Sequence, residues 1–184
     1  MKIPQLRKQP EKKSCHGHSW IDNYAWIHQD NCLEILRDTK KLNTEVRKYL
    51  EQENAYTNSI MEDTKNIQRK LFKEIEGRIK LDDESLPYKD KNYEYWTKTT
   101  KEGNYFKKLR KKIGDNKIEC YFDGDLEAKG KKFFSTGDLT VSNDDKLLAY
   151  SIDDKGGEYF TIFIRRISDN KIIEKIEETA GGIV

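Results

Sequence analysis

From Leu139 onward one short pattern recurs, and it limits the possible folds more than any other feature of the chain. Leu139-Thr140-Val141-Ser142 reads as a strand and is closed by the turn Asn143-Asp144-Asp145-Lys146. Leu147 to Ile152 follows, then the turn Asp153-Asp154-Lys155-Gly156-Gly157 and the run Tyr159 to Ile167. A last turn, Ser168-Asp169-Asn170-Lys171, leads to Ile172 to Ile176. β-Branched and aromatic residues fill the runs, and Gly, Asn and Asp in the gaps tolerate the backbone angles of tight turns. Four short antiparallel strands within about 40 residues make a sheet too small to bury its own faces.

An earlier set resembles it. Residues 92–99, Asn-Tyr-Glu-Tyr-Trp-Thr-Lys-Thr, alternate with near period two. Lys101-Glu102-Gly103-Asn104 reads as a turn, Tyr105 to Lys111 as a return strand and Ile118 to Phe122 as a third, followed by Asp123-Gly124-Asp125. Successive four-stranded sets at this spacing predict blades of a β-propeller, whose ring needs at least four of them. The sequence holds material for about two, and Thr179 to Val184 reads as the middle of a repeat.

Before residue 80 the period changes. Val46, Tyr49/Leu50, Ile60, Thr64, Ile67, Leu71 and Ile75 fall on one face of a helix from about Asn43 to about Glu76. The polar stretch 53–58 is the expected interruption, and Gly77 suits the helix end. Asn31-x-x-Glu34 resembles a capping box opening a short helix. Residues 1–30 read as irregular, pinned by the cluster Trp20, Ile21, Tyr24, Trp26 and Ile27. Asp82 to Pro87 reads as a polar linker. The expected fold class is therefore mixed α and β: an N-terminal helical arm, residues 1–80, then the antiparallel four-stranded blades of an incomplete β-propeller, residues 81–184.

Composition removes several functions. Only 35% of residues are apolar and 37% are charged, against about 45–50% and about 25% in ordinary globular domains. There is no run of about 18 apolar residues to span a membrane, and the first eight residues lack the apolar stretch of a signal peptide. A net charge of +2 argues against a dedicated nucleic-acid binder. Cys15, Cys32 and Cys120 are odd in number and far apart, which suits reduced thiols and a cytoplasmic setting.

Candidate chemistry is sparse. None of the eight serines lies in the Gly-x-Ser-x-Gly setting of a nucleophile elbow, and no glycine-rich phosphate cradle is present. Cys15-x2-His18, nine residues on, His28-x3-Cys32, with His16 nearby, has intervals that resemble a zinc finger but not a common ligand order. The basic runs Lys107 to Lys112 (with Leu109) and Lys129 to Lys132 lie beside Tyr105, Phe106, Phe133 and Phe134. That pairing suits phosphate and base stacking, yet strand edges carry such runs more often. Asp123-Gly124-Asp125 lacks the spacing and closing Glu of a calcium loop. No catalytic, cofactor-binding or metal residue is assigned.

Several stretches resemble one family. His16-Gly17-His18-Ser19-Trp20-Ile21-Asp22-Asn23-Tyr24-Ala25-Trp26-Ile27 is similar to the opening motif of the prolyl oligopeptidase family of serine peptidases. Tyr49-Leu50-Glu51-Gln52-Glu53-Asn54-Ala55-Tyr56, Glu74 to Ile79 and Pro87-Tyr88 resemble stretches of its oligopeptidase B branch. Ser142 to Asp153 is similar to its second-blade signature, with Asn143 where a Pro usually stands. The resemblance implies a much longer enzyme. In it a helical segment packs on an α/β-hydrolase peptidase domain, a seven-bladed propeller follows, and Ser, Asp and His come last. It also implies short peptide substrates cut after Lys or Arg, and no cofactor. The implied partners are the remaining blades and the peptidase domain, on the same or a separate chain, with no nucleic acid and no membrane. Every catalytic residue would lie beyond Val184, so His16, His18 and His28 are not the triad histidine, and the chain alone is expected to be inactive and only marginally soluble. The alternative is a non-catalytic remnant or a stand-alone binding module.

Overall fold

The computed structural model describes residues 2–183. The chain divides into two compact units, with the boundary between Arg78 and Ile79.

The first unit opens with a hairpin, β1 (Glu11–Cys15) and β2 (His18–Asp22), paired in the register Cys15↔His18 to Glu11↔Asp22. His16 (φ 49°) and Gly17 (φ 80°) both adopt left-handed backbone, as a two-residue type I′ turn demands. A Cβ at Gly17 would touch nothing, so the glycine serves conformation and not space. The expected irregular segment is thus a hairpin. Its signal was weak because Glu-Lys-Lys-Ser-Cys has little strand propensity and His-Gly replaces the usual Asn-Gly. Beyond it, Trp26 Nε1 donates to the Arg7 carbonyl at 3.0 Å, while Arg7 stacks on the Trp26 ring and pairs with Glu45 at 2.9 Å.

Helix α1 (Cys32–Arg37) begins at Asn31, but the Asn31 side chain makes no capping bond; the expected capping box does not form. Helix α2 (Thr44–Ile60) is capped by the Asn43 side chain, which accepts from the N–H groups of Glu45 and Val46. Helix α3 is Lys65–Glu76. The single long helix is therefore broken, at residues 61–64 and not at 53–58. A 3-10 turn, Glu62–Thr64, forms there, and the Thr64 hydroxyl donates to the Met61 carbonyl at 2.7 Å, a local bond that competes with helical continuation. Gly77 ends α3 with helical angles, φ −66°. Val46 is the one buried residue of α2, and α3 has none, so Leu50, Ile60, Ile67, Leu71, Phe72 and Ile75 stay exposed.

The second unit holds two antiparallel sheets. In the first, β3 (Asp83–Glu84) and β4 (Tyr88–Asp90) both flank β5 (Tyr93–Thr99), followed by β6 (Lys107–Lys112) and β7 (Ile118–Asp123). β3 meets the far end of β5 (Asp83↔Thr99) and β4 its start (Asp90↔Tyr93). They act as one edge strand, interrupted at Ser85-Leu86-Pro87 because Pro87 has no N–H to give the ladder. The expected linker at 82–87 is therefore part of a sheet. Residues 123–125 are not a simple turn either. The Asp123 carboxylate accepts from the N–H groups of Asp125 and Leu126 and starts α4 (Gly124–Ala128).

The second sheet has the order β11-β10-β9-β8, from β8 (Ser135–Val141), β9 (Leu147–Asp153), β10 (Phe160–Arg166) and β11 (Ile172–Thr179). It matches the four runs read from the sequence. The core draws Tyr95, Tyr121 and Phe122 from the first sheet and Leu148, Tyr150 and Ile152 from the second, with Phe134 and Ile167. The Phe122 and Tyr150 rings meet edge-on across the seam, 5.3 Å between centroids. The chain is mixed helix and sheet, with antiparallel sheets.

Candidate functional site

The seam between the two sheets carries the densest polar chemistry of the second unit. Alternation along β6 turns Arg110 inward beside Tyr95 and Tyr121, and it is only 4% exposed. A guanidinium so buried needs partners. Its Nε donates to Glu119 at 2.6 Å, its Nη1 donates to the Asp145 carbonyl at 2.8 Å, and it lies 4.3 Å from the centre of the Tyr93 ring. Asp145 sits in the β8–β9 turn with φ 61°. Its carboxylate accepts from Asn92 Nδ2 at 3.0 Å and from the Tyr95 hydroxyl at 3.3 Å. Beside it, Lys91 donates to Asn143 at 2.8 Å.

A second arginine runs the opposite way. Arg165 on β10 pairs with Glu127 of α4 at 2.6 Å, donates through Nη2 to the Tyr121 carbonyl on β7 at 3.0 Å, and stacks on Tyr150. Tyr150 in turn donates to Glu127 at 3.4 Å. The Arg165 Nε is buried without a protein acceptor. Each sheet thus sends one arginine, neutralised by a glutamate and stacked on tyrosine, to a main-chain carbonyl of the other. Burial pushes the Tyr95 and Tyr150 hydroxyls up to about 12, against the lowering effect of Arg110 and Arg165 respectively, and also raises Tyr121.

A cleft of about 430 Å³ opens beside Arg110, lined by Tyr93, Glu119, Asp144, Lys146 and Arg166 among others. Its one serine is Ser168, and it contains no histidine or cysteine, so it holds no Ser–His or Cys–His pair of the kind that serves acyl transfer. Cys120 borders a smaller hollow of about 360 Å³ next to Arg165. Cys120 is an exposed free thiol like Cys15 and Cys32, but desolvation by the packing around its sulfur raises its pKa, the reverse of what a reactive thiolate needs.

The other sequence candidates are placed as follows. Cys15 and His18 are register partners at the hairpin end, and Cys15 and Cys32 are exposed free thiols. His28 pairs with Asp30 at 3.3 Å. Among the described residues no three His, Cys, Asp or Glu side chains come together as a metal group. The basic run on β6 is matched by its own neighbours: Lys107 with Asp123 at 2.6 Å, Lys108 with Thr97 at 2.9 Å, and Lys111 with Glu94 at 3.2 Å. Asp125 accepts from the N–H groups of Asn104 and Tyr105, and Asp123 is shared between backbone N–H groups and Lys107. Sequence reading missed the roles of Arg110, Asp145 and Arg165. The available signal was Arg110 in register with Tyr95 on a strand of otherwise lysine charges.

The sequence profile described as "Prolyl oligopeptidase, N-terminal beta-propeller domain" matches residues 4–184. Dipeptidyl aminopeptidase BI of Pseudoxanthomonas mexicana is 30% identical over 92% of this chain and 25% of its own length. Protease 2 of Moraxella lacunata is 24% identical over 94% of this chain and 24% of its own length. Oligopeptidase B from Leishmania major superposes on all of this chain and 27% of its own, with a TM-score of 0.82 and 26% identity. Oligopeptidase B from Trypanosoma brucei, with covalently bound antipain in a closed form, covers the same shares with a TM-score of 0.80 and 24% identity, a likeness of fold. The chain spans about a quarter of the length of these relatives.

Proposed function

The chain belongs to the prolyl oligopeptidase family, in its N-terminal β-propeller part, and from that premise we propose that it is the non-catalytic opening portion of an oligopeptidase B-like peptidase. In this reading residues 1–80 brace a peptidase domain supplied elsewhere in the polypeptide. Residues 81–184 are about the first two blades of a propeller that restricts the active site to short peptides, cut after Lys or Arg. The observation that carries the reading is the likeness to Leishmania major oligopeptidase B along the whole of this chain. Two features of the molecule support it. Helix α3 is amphipathic, yet Ile67, Leu71, Phe72 and Ile75 are all at least half exposed, and a stripe of that kind needs a partner surface. The outermost strand, β11, leaves one edge unpaired and exposes Ile172, Ile173 and Ile176, which in a propeller face the next blade.

The test is capture from native extract with an antibody raised against residues 1–30, followed by assay on Lys-, Arg- and Pro-anilide peptides. Hydrolysis of the Lys and Arg substrates, abolished by a serine-reactive phosphonate, is the expected result. Captured polypeptide with no hydrolysis would favour a non-catalytic remnant, and hydrolysis of the Pro substrate alone would overturn the specificity.

A further inference from the structure

Six described residues other than glycine hold left-handed backbone: His16, Lys91, Asp145, Glu158, Asn170 and Glu178. Five of them are exposed, and Asp145 alone is buried, at 8%. A residue needed only for a turn in this conformation is best replaced by glycine, which adopts it without strain. Asp145 keeps a side chain there, and that side chain accepts from Asn92 and Tyr95 while its carbonyl accepts from Arg110. Three hydrogen bonds at Asp145 therefore tie the β8–β9 turn of the second sheet to the first, with a fourth from Lys91 to Asn143 beside them. Arg165 makes the reciprocal tie, from β10 back to the Tyr121 carbonyl on β7.

We propose that Asp145, Arg110 and Arg165 form a two-point clasp that makes the two sheets of the second unit open and close as one body. A single tie would leave the sheets free to pivot about it. Two ties at different places in each sheet, β6 to the β8–β9 turn and β10 back to β7, running in opposite senses with the Phe122–Tyr150 contact as well, remove that freedom. The ties are strong for their number because each uses a buried guanidinium, and charged donors make the stronger hydrogen bonds. Asp145 is the positioning residue: its strained backbone aims the carbonyl at Arg110, and its carboxylate holds the first sheet to that aim.

The prediction inverts the usual effect of glycine in a left-handed turn. In the 184-residue chain, Asn170→Gly, at φ 56° in the exposed β10–β11 turn, should leave the melting temperature unchanged or raise it. Asp145→Gly should lower it by several degrees or more, and Asp145→Asn, which tolerates the same backbone and keeps one acceptor, should fall between them. If Asp145→Gly is as stable as Asn170→Gly, position 145 is only a turn and the clasp is wrong. Native-state hydrogen exchange supplies a second readout that does not depend on the variants folding. In the unaltered chain the slowest amides of β5–β7 and of β9–β10 should share one protection level and respond together to urea. Separate protection levels for the two sheets would overturn the proposal.

Discussion

At Asp153, the buried last residue of β9, burial would push the carboxyl up, but the N–H groups of Lys155, Glu158 and Gly156 at 2.8–2.9 Å outweigh it and hold the pKa below the ordinary carboxylate value. A folded-state pKa below the unfolded value, near 3.9, gives stability that is present above that value and lost as pH falls through the folded one. Asp153→Asn should therefore flatten the acid limb of urea stability curves as pH falls below the unfolded carboxylate range, and cost about 1–3 kcal/mol at neutral pH through lost acceptors. The tyrosines work in the other direction. With Tyr95 and Tyr150 raised to about 12, stability is full below the unfolded value near 10 and declines as pH rises toward 12. The share of tyrosinate absorbance that is removed by Tyr95→Phe and Tyr150→Phe should then appear together with loss of structure, not ahead of it. Gly124 reports on space: a Cβ there would come within 2.7 Å of Tyr105 Cβ and 2.9 Å of the Phe106 carbonyl. Gly124→Ala should thus cost roughly 1–3 kcal/mol as overpacking does, measured by urea unfolding.

Elements differ in how far the sequence revealed them. The strands β5–β11 were legible because alternation and turn residues coincide, and long-range pairing only had to accept what local preference offered. Other features were not, and three of them show why. The β1–β2 hairpin has charged strands and a His-Gly turn, so its pairing shows only in the register. The helix break was masked because an apolar stripe can continue through a 3-10 turn at 62–64, while the polar residues 53–58 are simply a solvated helical face. The arginine clasp was invisible because Arg110 stands among lysines, and only the sheet order tells which of those charges faces inward. The same element view yields a contrast in stability. Val46→Ala removes two methyl groups from the buried position of α2 and should cost about 1.6 kcal/mol, at about 0.8 kcal/mol per buried carbon. Leu71→Ala lies on α3, which buries nothing in this chain, and should stay within about 0.5 kcal/mol. In a polypeptide where the α3 face is covered, Leu71→Ala should cost about 2–5 kcal/mol instead. Equal costs in both settings would show that α3 is a free surface.

For the whole molecule, no helix of the described residues is long and apolar enough to cross a membrane, and Arg110, Asp145 and Arg165 are engaged in holding the sheets together. The purified 184-residue chain should hydrolyse no Lys- or Arg-anilide peptide, since the cleft beside Arg110 offers no Ser–His or Cys–His pair. It should also self-associate with rising concentration, because β11 leaves an unpaired edge and apolar faces lie open on both units. Sedimentation across a tenfold concentration range would register that association, and a concentration-independent monomer would contradict it.

The central claim is that these residues are one part of a larger peptidase. It is tested most directly by the mass of the native polypeptide recognised by an antibody to residues 1–30, read by denaturing electrophoresis of cell extract with peptide mapping of the band. The account predicts a species about four times the 21.8 kDa of this chain, with peptides mapping to both units and to sequence past Val184. A band at 21.8 kDa with no peptidase chain accompanying it would contradict the account.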